Sequence, residues 1–262
     1  MSKHLPQLMA ILNVTPDSFS DGGRYRTVKQ AVCQAKHFIS EGANLIDIGG
    51  ESSRPGAQPV SVVEELRRVI PIIEQIRNFS DIPLSIDTYK PVVAAVALRY
   101  GVNMVNDITG LRDPLMRQVV AQAHCQVVIM HMQGRPGTML RQPRYNNVVL
   151  DIKKFFQQQV RLAQQAGIKK NDIILDPGIG FGKTVKHNLE ILKNLQQFSS
   201  LRLPLLIGAS RKSFIGKLTG ADVQDRLAGT LAAHWLAVHN DASIVRVHDV
   251  AAHKQFFTIL SS

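Results

Sequence analysis

The sequence predicts an α/β protein built as one closed (β/α)8 barrel, a TIM barrel, on three observations. Short apolar runs alternate with longer stretches of helical period, the alternation occurs eight times, and nearly every run ends on a polar residue. Eight regular βα units favour the closed barrel over an open doubly wound sheet, which usually needs fewer strands and a switch point. A chain of 262 residues could hold two small domains, but no linker, low-complexity tract or change of composition divides it. One domain spanning residues 1–262 is expected.

The first run, 8–12, ends at Asn13 and opens into a long polar loop, VTPDSFSDGG. In the helical stretch that follows, Val28, Val32, Ala35 and Ile39 share a face. The second run, 44–48, contains Asp47 and leads to a second long loop, GGESSRPG, before a helix with Val63, Leu66, Ile70 and Ile73 on one side. Runs at 83–86, 103–105 and 126–130 deliver Asp87, then Asn106 with Asp107, then His131. The sixth run, 172–175, stops at Asp176, the seventh, 204–207, precedes Gly208 and SRKS, and the eighth, 243–247, carries Arg246 and is followed by His248. Gly42, Gly101 and Gly167 follow helical stretches where a left-handed cap is expected, and Asp113 and Asp249 stand where helices open.

The stretch after the sixth run, DPGIGFGKT, looks like a nucleotide loop and fails two counts. A Walker loop ending in Gly182-Lys183-Thr184 needs glycine where Pro177 stands, and the dinucleotide fingerprint needs two residues where Phe181 stands alone. A buried carboxylate at a strand end, followed by a compact loop, is what remains. In a barrel such ends form the active-site mouth.

Bulk properties narrow the function. The 45% hydrophobic and 19% charged content is that of a globular protein, with no apolar run near the length of a membrane span. The first six residues, MSKHLP, carry no apolar signal core, so a cytoplasmic location is expected. Cys33 and Cys125 are far apart in apolar segments, suggesting two buried free thiols, and no CxxC points to zinc. A net charge of +11 raises nucleic-acid binding, but no basic run exceeds two residues and aromatics are sparse, so steering of small anionic substrates is favoured.

Two zones can be inferred at the mouth. Asp87, Asn106 and Asp176 could accept hydrogen bonds from a flat ligand rich in N–H donors, with metal ligation or an internal salt-bridge network as the competing reading. Across the mouth, Arg246 and His248 suit an anion, since barrels often bind phosphate in the loops after strands seven and eight. Asn13 could reach the same anion or a Mg2+ ion, which needs few protein ligands. His131, between Met130 and Met132, is read as structural. The two long loops could close over the centre with Phe19, Arg54 and Pro55.

At these residues the chain resembles the dihydropteroate synthases, pterin-binding enzymes of folate biosynthesis, over essentially its whole length. The segments that carry the resemblance are MAILNVTPDSFSDGG, IDIGGESSRPG, SIDTYKP, VNDITG, MHMQGRPGTM, ILDPGIGFGK, GASRKSFIG and RVHDV. The resemblance implies a pterin pyrophosphate held by Asp87, Asn106, Asp176 and Lys212, with Asn13, Ser53, Arg54, Arg246 and His248 at its pyrophosphate and Mg2+ bound at Asn13. It implies that p-aminobenzoate lies among Phe19, Ser53, Arg54, Pro55, Phe181, Lys212 and Ser213, and that Asp17, Lys212, Arg246 and His248 serve catalysis. In the family reaction, loss of pyrophosphate gives a stabilised pterin cation that the amine attacks. A homodimer is implied as well, with small-molecule substrates and neither nucleic acid nor membrane as partner.

Ser53 departs from the threonine more usual in the family, keeping the hydroxyl and losing a methyl that would pack on p-aminobenzoate or a sulfonamide. The role of Asp47, orienting the second loop or touching substrate, stays open. A methyltetrahydrofolate-dependent methyltransferase would share the pterin-facing acids, but GESSRPG and SRKS argue against it. An inactive basic barrel that binds RNA would lack site residues, and none is missing.

Overall fold

The computed structural model describes residues 5–14, 28–52, 57–134, 139 and 143–261. The described strands are β1 (Gln7–Asn13), β2 (Leu45–Gly49), β3 (Leu84–Asp87), β4 (Met104–Asp107), β5 (Gln126–Met130), β6 (Ile173–Asp176), β7 (Leu206–Ile207) and β8 (Ile244–Val247). Between and after them run α1 (Val28–Ser40), α2 (Val62–Arg77), α3 (Pro91–Arg99), α4 (Pro114–Ala123), α5 (Val148–Gln165), α6 (Val185–Lys193), α7 (Ser213–Thr219), α8 (Leu227–His239) and α9 (Val250–Ser261). All eight expected runs form strands. The seventh connection departs from a simple βα unit by carrying two helices, α7 and α8.

Every strand pairing is parallel, in the order β6-β5-β4-β3-β2-β1-β8-β7. The ring closes through a parallel bridge between Leu175 and Leu205, where the Leu175 N–H donates to Pro204 O at 3.0 Å. Pro204 has no N–H to offer a ladder, which fits the shortness of β7 beside this seam.

Side chains alternate across each strand, so one face of the ring points to the helices and the other to the barrel axis. Leu8, Ala10 and Leu12 join the large outer core with Ile46, Ile48, Val105 and Val127. A separate inner cluster takes Met9, Leu45, Met104, Val128, Ile174, Leu206 and Ile244, while β3 contributes Ser85 beside Met104. This apolar floor plugs the barrel. Two residues further along, the same inward face presents Asp47, Asp87, Asn106, Asp176 and Arg246. The mouth is therefore polar because on β2, β3, β4, β6 and β8 the inward position after the floor carries a charged or amide side chain, whereas β5 places Met130 there.

Caps fix where several helices begin. Ser61, Asp113 and Asn147 accept the N–H groups of Glu64, Leu115 and Leu150 at 3.1, 2.9 and 3.0 Å. Thr184 and His187 form a reciprocal capping box at α6. Gly42, Gly101 and Gly167 have φ of 93°, 91° and 95°, as the helix-end reading requires.

Three expectations are corrected. The face of α1 turned to the core is Ala31, Ala35 and Phe38, so only Ala35 of the expected set is buried. In α2 the stripe is Glu65, Val69, Ile72, Ile73 and Ile76, whereas Val63 is 76% exposed. Apolar residues at the margin of an amphipathic helix mimic a stripe rotated by one position, and Glu65 hid the true one. Cys33, expected inside, is exposed because it falls between Ala31 and Ala35 on the outer side of α1; Cys125 is buried.

Candidate active site

Four inward side chains at the strand ends, Asp47, Asp87, Asn106 and Arg246, form one connected network. Arg246 on β8 donates through Nε to Asp47 Oδ2 at 2.6 Å and through Nη2 to Asp87 Oδ2 at 2.8 Å. Asn106 Nδ2 donates to the same Asp47 oxygen at 3.0 Å. That bond fixes the amide, leaving Asn106 Oδ1 as a buried acceptor with no partner among the described residues. Asp47 is fully buried and is the hub. Its contacts settle its position: it orients Arg246 and Asn106, while Glu51 holds the start of the second loop by accepting from Tyr89 Oη at 2.6 Å, from Val60 N–H at 3.1 Å and from Lys90.

The separation into two zones is corrected by this layout. Arg246 stands between the carboxylates of β2 and β3 and is not confined to the far side of the mouth. Buried carboxylates need counter-charge in a low-dielectric interior, and the long guanidinium crosses the barrel to supply it. Burial works against the Arg246 charge, and Asp47 and Asp87 more than offset it, raising its pKa. Burial pushes the Asp87 carboxyl up, with Arg246 pulling it back.

Asp176 ends β6 and accepts the Gly178 N–H at 2.7 Å. Burial raises its pKa, with Lys212 opposing. Lys212, immediately before α7, loses proton affinity through burial to about 8, against the pull of Asp176. Its Nζ bonds Ile179 O and lies 4.2 Å from the Phe181 ring centroid. Ser213 follows as the exposed first residue of α7.

The glycine loop is tight. Gly178, Gly180 and Gly182 have φ of 69°, 83° and 61°, and a Cβ on Gly178 would stand 2.0 Å from His131 O. Lys183, excluded as a phosphate lysine by counting, is 4% exposed and donates to Phe181 O at 2.9 Å and His131 O at 3.2 Å. His131 is buried 3.1 Å away through Nδ1, and burial lowers its pKa to about 2, which agrees with a structural part. Two lysines thus hold one loop, one from inside and one from the mouth.

At the other rim, His248 Nδ1 lies 2.9 Å from Ser210 Oγ, which also accepts the His248 N–H at 3.3 Å. Asp249 directly precedes α9, but its carboxylate binds Arg211. Asn13 is partly buried at the end of β1, and a Cβ on Gly49 would meet Asn13 Oδ1 and Asp87 Cβ at 3.5 Å each. No group of three or more His, Cys, Asp and Glu able to hold a metal occurs among the described residues. Asp17, Phe19, Ser53, Arg54 and Pro55 lie outside the described residues. The structure therefore brings together Asp87, Asn106, Asp176, Lys212, Phe181 and Arg246, with Asn13 and His248 on adjoining strand ends. Sequence reading had not anticipated Ser210 beneath His248, although SRKS was already placed at this mouth.

Fold and mouth together define a (β/α)8 barrel with a mixed carboxylate and cation site at the C-terminal strand ends. Residues 9–248 match the pterin binding enzyme family. A dihydropteroate synthase of Escherichia coli (strain K12) is 46% identical over 245 residues, 94% of this chain and 87% of that protein. The crystal structure of the Yersinia pestis dihydropteroate synthase with a sulfonamide drug superposes with a TM-score of 0.95 at 43% identity, covering 99% of this chain and 94% of that one. The Xanthomonas albilineans enzyme in complex with 7,8-dihydropteroate gives 0.88 at 42% identity, over 99% and 94% of the two chains. The chain belongs to the dihydropteroate synthases of the pterin-binding enzyme family and is a transferase.

Proposed function

We propose that the protein condenses 6-hydroxymethyl-7,8-dihydropterin pyrophosphate with p-aminobenzoate to give 7,8-dihydropteroate and pyrophosphate. The observation that carries this reading is the composition of the mouth, where Asp87 and Asn106 stand in the network around Arg246 and Asp176 stands within electrostatic reach of Lys212. The pterin edge has amide-like N–H groups for the acceptors and a carbonyl for Lys212. Its pyrophosphate meets Arg246 and His248, with Asn13, Ser53 and Arg54 contributing from β1 and the second loop. Arg246 exchanges a carboxylate for phosphate oxygens as substrate enters, which frees Asp87 for the pterin.

Asn13 fits Mg2+ as a single neutral oxygen ligand beside Gly49, where the glycine keeps the approach open and no carboxylate cage competes among the described residues. Bound there, the ion would neutralise the leaving pyrophosphate. Arg246 and His248 hold the same oxygens as the C–O bond breaks and the amine nitrogen bonds to the pterin methylene carbon. A pterin ring stabilises positive charge at that carbon, so no strong base is needed; the amine proton passes to phosphate or water. Asp17 orders the first loop over the centre. Phe19, Ser53, Arg54, Pro55, Phe181, Lys212 and Ser213 surround p-aminobenzoate, and sulfonamides compete there.

We further read the chain as one domain, a homodimer and a cytoplasmic protein; no described helix is long and apolar enough to cross a membrane. Incubating purified protein with Mg2+ and both substrates tests the function: dihydropteroate and pyrophosphate should appear in equal amounts. No product, with tight salt-sensitive RNA binding instead, would sink it.

A further inference from the structure

We propose that His234 on α8 and His253 on α9 are positioning residues for the anion-binding end of the site, joining the loop after β7 to the loop after β8 through a hydrogen-bond chain that can run in only one direction. This rests on the assignment of pyrophosphate to Arg246 and His248. Both imidazoles are fully buried. The Ala209 N–H donates to His234 Nε2 at 3.0 Å, His234 Nδ1 meets His253 Nε2 at 2.8 Å, and His253 Nδ1 meets Asp249 O at 2.7 Å.

The ends of the chain fix every proton. A backbone N–H can only donate, so His234 Nε2 is an acceptor and its proton sits on Nδ1. That proton goes to His253 Nε2, which leaves the His253 proton on Nδ1, facing a carbonyl that can only accept. Neither ring can take a second proton without setting N–H against N–H. Lys212 and His248 face His234 and Asp249 faces His253, and burial lowers the pKa of both rings. Apolar side chains would fill the space between α8 and α9 with less desolvation, so what the pair adds is direction.

The positions joined are those next to the proposed machinery. Ala209 precedes Ser210, which bonds His248, and Ala209 O accepts the Lys212 N–H at 3.2 Å. Asp249 follows His248 and holds Arg211. The imidazole pair is thus the dry tie between two loops whose other ties lie at the mouth.

The test compares His234→Asn, which keeps a donor towards His253 but loses the acceptor for Ala209, with His234→Gln, which keeps an acceptor towards Ala209. Inorganic pyrophosphate with Mg2+ and free 6-hydroxymethyl-7,8-dihydropterin are the calorimetric probes. His234→Asn should weaken pyrophosphate binding about fivefold, the scale of one net hydrogen bond, while pterin affinity stays within about twofold and His234→Gln recovers most of the loss. His248→Ala is the control: if it leaves pyrophosphate binding unchanged, the anion assignment fails. If His248→Ala weakens binding and His234→Asn does not, or if His234→Asn weakens pterin equally, the positioning role is overturned. Should the variants not fold, 15N-edited NMR of the unmodified enzyme decides. Both rings must be neutral and protonated on Nδ1 from roughly pH 8 to roughly pH 6, below the ordinary histidine value; a cationic ring or an Nε2–H tautomer overturns the chain.

Discussion

Asp47→Ala tests the claim that this residue is the electrostatic hub of the mouth. The substitution removes acceptors for Arg246 Nε and Asn106 Nδ2 at a fully buried position. Breaking a buried ion pair by deleting one partner costs about 3–5 kcal/mol, because the remaining charge is left uncompensated. Arg246 keeps Asp87 and its side chain retains 19% exposure, so the lower end applies, about 3 kcal/mol. For a chain of this size that lowers Tm by about 6–12 °C. The urea midpoint should fall with the m-value unchanged. Asp47→Asn can keep one acceptor oxygen in place while deleting the charge, and should fall between Asp47→Ala and the unmodified enzyme. In both variants the guanidinium turns more fully to Asp87 and competes with the pterin, so free-pterin affinity falls as well. A Tm drop below about 2 °C for Asp47→Ala would refute the reasoning, since a carboxylate worth so little is not organising a buried arginine.

The other predictions concern binding, pH, backbone and the second loop. Asp176→Asn should weaken free-pterin binding while His248→Ala weakens pyrophosphate binding; equal loss of free pterin in both would remove the distinction between the two ligating groups. Lys212 is cationic below about 8, so kcat/KM for the pterin pyrophosphate should decline as pH rises through that value, and Lys212→Arg, slower overall, should lose the alkaline limb. A limb that persists in the arginine variant would assign it elsewhere. Gly178→Ala places a Cβ against His131 O at a φ of 69°, and should cost at least about 3 kcal/mol of stability in urea titrations, together with pterin affinity through the Gly178–Asp176 bond. Ser53→Thr should tighten p-aminobenzoate and sulfonamide binding modestly; unchanged KM and inhibition would make the methyl irrelevant.

Much of the fold could be read from local signals because a parallel barrel repeats one instruction. Each strand is a short apolar run, and its two faces see different surroundings, so Met9, Leu45 and Ile174 of the inner floor were as visible in the sequence as Leu12 and Ile48 of the outer core. The helix faces were read less well. In α2 the decisive buried position is a glutamate, Glu65, which is 1% exposed and is paired by Lys90, just before α3. A charge in a stripe looks like the edge of that stripe until its partner is known, and the partner here is 25 residues away.

The candidate site divides along the same line. That Asp87, Asn106, Asp176 and Arg246 face one mouth follows from period-two counting, since each lies two residues beyond a floor position. Which of them touch does not follow, because Arg246 and Asp87 are 159 residues apart and meet across the barrel axis, where strand order gives no neighbour relation. Their meeting is set by the cost of leaving either charge alone in a dry interior, a property of the closed ring and of no single segment. The same reasoning explains the two zones drawn from sequence: carboxylates and cations were sorted by strand number, whereas burial mixes them. An arginine held by two carboxylates can be exchanged onto an anion without being stranded, so the mixed arrangement suits a site that must accept a pterin and its pyrophosphate as one molecule.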